Sequence, residues 1–104
     1  PEDEAKAAAA LSGLGARLHR QAYGDIWLRD TAPIFLLDRG LGLGSIRFSF
    51  NGWGGKYDLP GDADLAARVQ AIVEGAGLGA RSFAREFVCE GGALEVDGEG
   101  TVLT

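Results

Sequence analysis

Between Asp25 and Asp30 the chain places two carboxylates, one guanidinium and an indole within six residues, and Pro33 follows closely. The apolar run Ile34–Leu37 comes next. An unpartnered carboxylate is costly to desolvate, so charges this dense beside an apolar run call for ion pairing or a charged ligand. A carboxylate such as Asp30 can accept two parallel N–H bonds from a planar guanidinium. The residues alone leave two readings open for it: a ligand carboxylate, or a structural ion pair with Arg29 or another arginine. Trp27 offers a face that attracts a cation by roughly 0.5 to 2 kcal/mol and can cover an aliphatic tether. Its alternative is a place in the core. Arg29 cannot bind a cation and is expected to hold carboxylates in place. Asp25 is expected to support the motif or its turn, and Pro33 to fix the chain direction.

Two further segments share this character. Phe50-Asn51-Gly52-Trp53-Gly54-Gly55-Lys56-Tyr57 is a glycine-rich loop carrying an indole. The loop with Trp53 is expected to shape a rim, and Lys56 to act as a salt-bridge partner. The phosphate-loop pattern of a Lys and Ser/Thr after spaced glycines is missing. Glu90-Gly91-Gly92 supplies another carboxylate, followed by two glycines that let the backbone turn sharply and a ligand approach. Its alternative is a surface Glu before a turn. Cys89, the single cysteine, has no neighbouring His or cation to favour a thiolate and reads as a small buried residue. His19, the single histidine, reads as a surface or packing residue. One His, one Cys and scattered acids give no metal-ligand spacing.

Taken in order, the three segments resemble the motifs D-x-W-x-R-D-x-G-P, F-N-x-W-G-x-K-Y and E-G-G of the agmatine deiminase and bacterial-type peptidyl-arginine deiminase family. Asp97-Gly98-Glu99-Gly100-Thr101 stands in the place of that family's D-G-x-G-T. The resemblance runs from about Leu18 to Thr104, with Ala32 where the family usually has Gly. It implies a pentein, a fan of ββαβ modules, of which a chain of 104 residues would hold about two, roughly 1–50 and 51–104, as one partial domain. It implies that Asp30 is a catalytic and substrate-binding carboxylate, that Trp27 and Glu90 bind substrate, and that Asp25, Arg29, Asn51, Trp53, Gly91 and Gly92 support them. The implied reaction hydrolyses agmatine to N-carbamoylputrescine and ammonia, a step toward putrescine and the polyamines, without metal or organic cofactor. The family's nucleophilic Cys and its H-x-D pair lie further along than Thr104, so the chain is expected to be an inactive N-terminal piece. Its expected partners are the guanidine substrate and either the remainder of its fold or further copies of itself.

Bulk properties bound the alternatives. With 46% hydrophobic and 24% charged residues the chain has the composition of a globular domain with a modest core. A net charge of -5 argues against nucleic acid. A single cysteine cannot form an internal disulfide. No apolar run reaches the roughly 20 residues that cross a bilayer. The expected location is the cytoplasm.

The elements that must position these groups follow from pattern. Acids ahead of an alanine run predict a helix over 1–14. Loose alternation predicts a short strand over 16–22. The Asp25–Pro33 motif is expected to be irregular, and Ile34–Leu37 a buried strand. Residues 44–50 alternate and predict a strand with one buried face. Residues 51–61 read as loop. Leu65, Val69, Ile72 and Val73 form a helical stripe over 62–74, with Asp62 or Asp64 as cap. Residues 80–83 and 86–89 read as short extended pieces, and 93–96 with 101–103 as a hairpin. The fold class expected is α/β with a mixed sheet and helices packed outside.

Overall fold

The computed structural model describes residues 2–104. It is a mixed α/β fold in which one long helix lies on a mixed three-stranded sheet. The element order is α1 (Glu2–Ala10), α2 (Leu28–Thr31), β1 (Ile34–Asp38), β2 (Gly42–Ser49), α3 (Gly52–Gly55), α4 (Asp62–Gly75), β3 (Arg81–Val88), β4 (Glu95–Val96) and β5 (Val102–Leu103).

The sheet runs β1-β2-β3. β1 and β2 are an antiparallel hairpin in the register Ile34↔Ile46 to Asp38↔Gly42. Oδ1 of Asp38 accepts the N–H groups of Gly40 and Leu41 at 2.8 and 2.7 Å and so forms the turn. β3 pairs parallel to β2, which requires the crossover that α4 provides. The ββαβ unit therefore spans β1 to β3. β3 is one strand rather than two pieces. Its register with β2 shifts between Arg47↔Ala84 and Ser49↔Val88, the stretch where the alternation of side chains breaks.

The centre under α4 is partly polar. Leu65 and Ala66 are buried, but so are Ser45, Gln70, Asp62 and Thr31. The Gln70 Nε2 group donates to Ser45 Oγ at 3.0 Å, to the Ser45 carbonyl at 3.2 Å and to the Phe83 carbonyl at 3.1 Å, while its Oε1 accepts from Arg47 at 2.7 Å. One amide thus ties the helix to both β2 and β3. Full pairing is what makes a buried amide tolerable.

Several expectations are corrected. α1 ends at Ala10, and Gly13 and Gly15 in left-handed backbone close the turn after it; Pro1 lies outside the described residues. Residues 16–22 form no strand, because no neighbouring strand offers them a ladder. Arg20 instead pairs with Glu4, and the Ala22 carbonyl accepts from Arg68. The Asp25–Pro33 motif contains a regular turn, α2. β1 is a strand but is not buried: Leu37 is 86% exposed, since α4 packs on β2 and β3. Asp62 does not cap α4, whose N-cap is Gly61 at φ +97°.

Candidate functional site

The Asp25–Pro33 segment is shaped by its own side chains. Asp25 Oδ1 accepts the Ile26 N–H at 2.7 Å, and Oδ2 accepts the Trp27 indole N–H at 3.1 Å. The Trp27 carbonyl accepts the N–H groups of Asp30 and Thr31 at 3.0 and 3.1 Å, and the Thr31 hydroxyl at 3.1 Å. This closes α2 and brings Asp30 round one turn from Trp27. Ala32 leaves the helix at φ −92°, ψ 164°, the extended region that a following proline enforces. Its φ is negative, so a methyl in place of the family's usual glycine is accommodated.

Asp30 is half-buried, and its Oδ1 accepts the Gly92 N–H at 3.3 Å. The turn at Gly91–Ala93 is pressed against α2. A Cβ on Gly91 would lie 2.2 Å from the Arg29 carbonyl oxygen, and one on Gly92 would lie 3.0 Å from Asp30 Oδ1. The two glycines therefore permit close approach between chain segments 62 residues apart in sequence. Glu90, half-buried, precedes this turn, and its carbonyl accepts the Ala93 N–H at 2.9 Å. Cys89 is half-buried with Sγ 3.7 Å from the Glu90 carbonyl oxygen.

Trp27 faces a different neighbour. An open cleft of about 630 Å³ is lined by Asp25, Trp27, Trp53, Lys56 and Tyr57. Asn51 Oδ1 accepts the Gly54 N–H at 2.9 Å and so organises the loop after β2. Gly52 sits at φ +65° with its Cα so close to Tyr57 that a Cβ would lie 2.0 Å from the Tyr57 carbonyl oxygen. Trp53 itself is left-handed, at φ 56°, a conformation costing a bulky residue about 1 to 3 kcal/mol. Its ring meets Phe50 edge-on at 5.0 Å and Tyr57 at 6.0 Å. Lys56 Nζ stands 5.4 Å from the Tyr57 ring centre.

The structure thus brings Asp25, Trp27 and Trp53 to one cleft and joins Asp30 to the Gly91–Gly92 turn. Asp30 and Glu90 are not among the cleft's walls. Two expectations change. Arg29 makes no ion pair among the described residues; its backbone carbonyl, not its guanidinium, makes the contact with Gly91. Lys56 faces an aromatic ring rather than a carboxylate. His19, exposed, lies at an apolar groove with Tyr23, Ile26 and Leu65. No group of three or more His, Cys, Asp or Glu side chains among the described residues could hold a metal.

Sequence reasoning missed the support behind the motif. Asp62, 2% exposed, accepts the Gly24 N–H at 2.6 Å and the Asp25 N–H at 3.3 Å through Oδ1. Arg68 donates to the Ala22 carbonyl and, at 2.6 Å, to that of Gly61. The one available signal was Gly61, a glycine that takes the capping position and leaves the next acid free to reach elsewhere.

A family model for Porphyromonas-type peptidyl-arginine deiminases matches residues 1–104. The chain belongs to that family. It is 37% identical over 103 residues to an agmatine deiminase of Stutzerimonas stutzeri, covering 94% of this chain and 27% of that protein. Among solved structures, the agmatine deiminase of Enterococcus faecalis superposes with a TM-score of 0.68 at 31% identity, over 81% of this chain and 23% of that one. The agmatine deiminase of C. jejuni with substrate bound gives 0.65 at 27% identity, over 85% and 25%. The chain spans about a quarter of the length of the curated relatives it matches. No helix among the described residues of this deiminase-family chain is long and apolar enough to cross a membrane.

Proposed function

We propose that this chain forms the guanidinium-recognising part of a deiminase acting on agmatine. The observation that carries the reading is the cleft, in which a carboxylate-tethered Trp27 and a strained Trp53 present aromatic walls, one turn from the Asp30 carboxylate. Such walls suit a planar cation and its aliphatic tether. Asp30 and Glu90 are the carboxylates that accept guanidinium N–H groups, with Asp30 also polarising the reacting carbon. Asp25, Arg29, Asn51, Trp53, Gly91 and Gly92 support them. The fold is about two modules of a pentein.

In the chemistry this implies, a thiolate attacks the guanidinium carbon, and ammonia leaves from the tetrahedral adduct with a proton from a histidine, which later takes a proton from the attacking water. Water hydrolyses the thiouronium, and N-carbamoylputrescine departs. Neither Cys89 nor His19 takes those roles, so the nucleophile and proton carrier come from outside these 104 residues, and the chain alone binds without turnover. No metal or organic cofactor takes part. A cytoplasmic setting, where agmatine is a polyamine precursor, suits the reading.

Membership in a family of peptidyl-arginine deiminases favours a second substrate, peptidyl-arginine. Titration calorimetry of the chain with agmatine and with an N-acyl-arginine amide decides between them. Tighter binding of agmatine, abolished by Asp30→Ala in a variant with unchanged circular dichroism, is the expected result. Binding of neither compound by a folded chain would leave a purely structural module. Ammonia release that Cys89→Ser abolishes would overturn the role given to Cys89.

A further inference from the structure

We infer that Asp62 is a positioning residue for the Trp27 wall: from the first turn of α4 it holds the backbone at Gly24 and Asp25, and so sets the indole against which a guanidinium ligand packs. The ligand half of this inference rests on the proposed function above.

The chain of contacts is continuous. Asp62 Oδ1 takes the Gly24 N–H at 2.6 Å and the Asp25 N–H at 3.3 Å. Asp25, its backbone so held, gives one carboxylate oxygen to the Ile26 N–H and the other to the Trp27 indole. The Trp27 carbonyl then anchors the N–H groups of Asp30 and Thr31. A single buried carboxylate on the best-formed helix therefore stands behind both the aromatic wall and the turn that bears Asp30. The approach is close: a Cβ on Gly24 would lie 2.3 Å from Leu59 Cβ and 2.9 Å from Asp62 Oδ2. Arg68, from the same helix, fixes the preceding carbonyl of Ala22. Two side chains of α4 thus grip the backbone at Ala22, Gly24 and Asp25, in a segment that no strand ladder holds.

The test uses the ¹⁵N-labelled chain, which has two indole N–H resonances, one each from Trp27 and Trp53; Trp53→Phe assigns them. Asp62→Ala is expected to move the Trp27 resonance toward its position in Asp25→Ala, to leave that of Trp53 in place, and to weaken agmatine binding about tenfold. Asp62→Asn keeps an Oδ1 acceptor and is expected to restore both. A variant that melts earlier but keeps the wild-type Trp27 resonance would overturn the inference, since a merely structural anchor behaves that way. If Asp62→Ala does not fold, Asp62→Glu carries the same test, because it moves the carboxylate by one methylene; an unmoved Trp27 resonance there also overturns it. A wild-type chain that binds no agmatine sinks the ligand reading, while the indole shifts still decide whether Asp62 sets Trp27.

Discussion

The indole N–H of Trp27 and the backbone N–H of Ile26 share the carboxylate of Asp25, at 3.1 and 2.7 Å on its two oxygens. One acid therefore fixes both the chain just after it and a ring two residues on. Trp27 is 54% exposed, so packing alone does not hold its face toward the cleft. Asp25→Ala is expected to free the ring and weaken agmatine binding by about 1 kcal/mol, read by calorimetry. Asp25→Asn has one acceptor oxygen for the two N–H groups and should fall between the wild type and the Ala variant. Equal affinity in the Ala variant would mean that the ring is no part of the ligand's surroundings.

The glycines at 91 and 75 should respond in opposite directions to alanine. At Gly91 the new methyl would stand 2.2 Å from the Arg29 carbonyl oxygen, a backbone atom that cannot step aside without moving α2. Gly91→Ala is expected to cost about 1 to 3 kcal/mol and to separate Asp30 from the Gly92 N–H. Gly75 ends α4 with nothing within 4 Å of a new Cβ. Alanine there is expected to stabilise the chain by about 0.5 to 1 kcal/mol. Urea unfolding of both variants checks the pair, and similar effects at the two sites would count against the close approach of α2 to the Gly91 turn.

What the sequence made legible was local. The stripe of Leu65, Val69 and Ile72 marks α4, and Asp97 to Gly100 marks the β4–β5 hairpin, because both patterns are satisfied within a few residues. The charged Asp25–Asp30 segment stood out as a candidate site by its composition, though the helical turn within it did not. Burial was harder to read. Phe35 and Leu37 look like core residues in sequence, yet whether a strand is covered depends on where a distant helix lies. Residues 16–22 alternate without any strand to pair with. The bonds of Asp62 and Gln70 were hidden for the same reason: their partners, Gly24, Asp25, Ser45 and Phe83, are 13 to 38 positions away. A polar residue on a helix announces neither its burial nor its bonds until the tertiary contacts exist.

The β4–β5 hairpin should carry an acid-sensitive contribution. Oδ1 of Asp97 accepts the N–H groups of Glu99 and Thr101 at 2.8 and 3.0 Å. A hydrogen bond from the Thr101 side chain, then the Glu99 and Thr101 backbone bonds, holds the Asp97 carboxyl below its ordinary value of 3.8. The folded value lies beneath the unfolded one, so the contribution is fully present above 3.8 and is lost as pH falls through the depressed folded value. Amide shifts of Glu99 and Thr101 followed down through pH 3.8 should report that loss. In Asp97→Asn the acid-dependent change should vanish. A midpoint at or above the ordinary carboxylate value would contradict the bonding at this turn.

Lys56 poses a question of sign. Its ammonium stands 5.4 Å from the centre of the Tyr57 ring, in the same cleft as Asp25, Trp27 and Trp53. Agmatine is cationic, so this lysine opposes its entry by like-charge repulsion while occupying an aromatic face that the ligand could use. The cleft is open to solvent, which limits the effect to about 0.5 to 1 kcal/mol at low salt. Lys56→Gln is therefore expected to tighten agmatine binding severalfold at low ionic strength, and the advantage should shrink as salt is added. An N-acyl-arginine amide lacks agmatine's second cationic end and should gain less from the same change. Calorimetric titrations of both ligands at two salt concentrations give the answer. Weaker agmatine binding in Lys56→Gln would mean that the lysine stem builds the wall rather than guarding it, with the ligand packed against that stem.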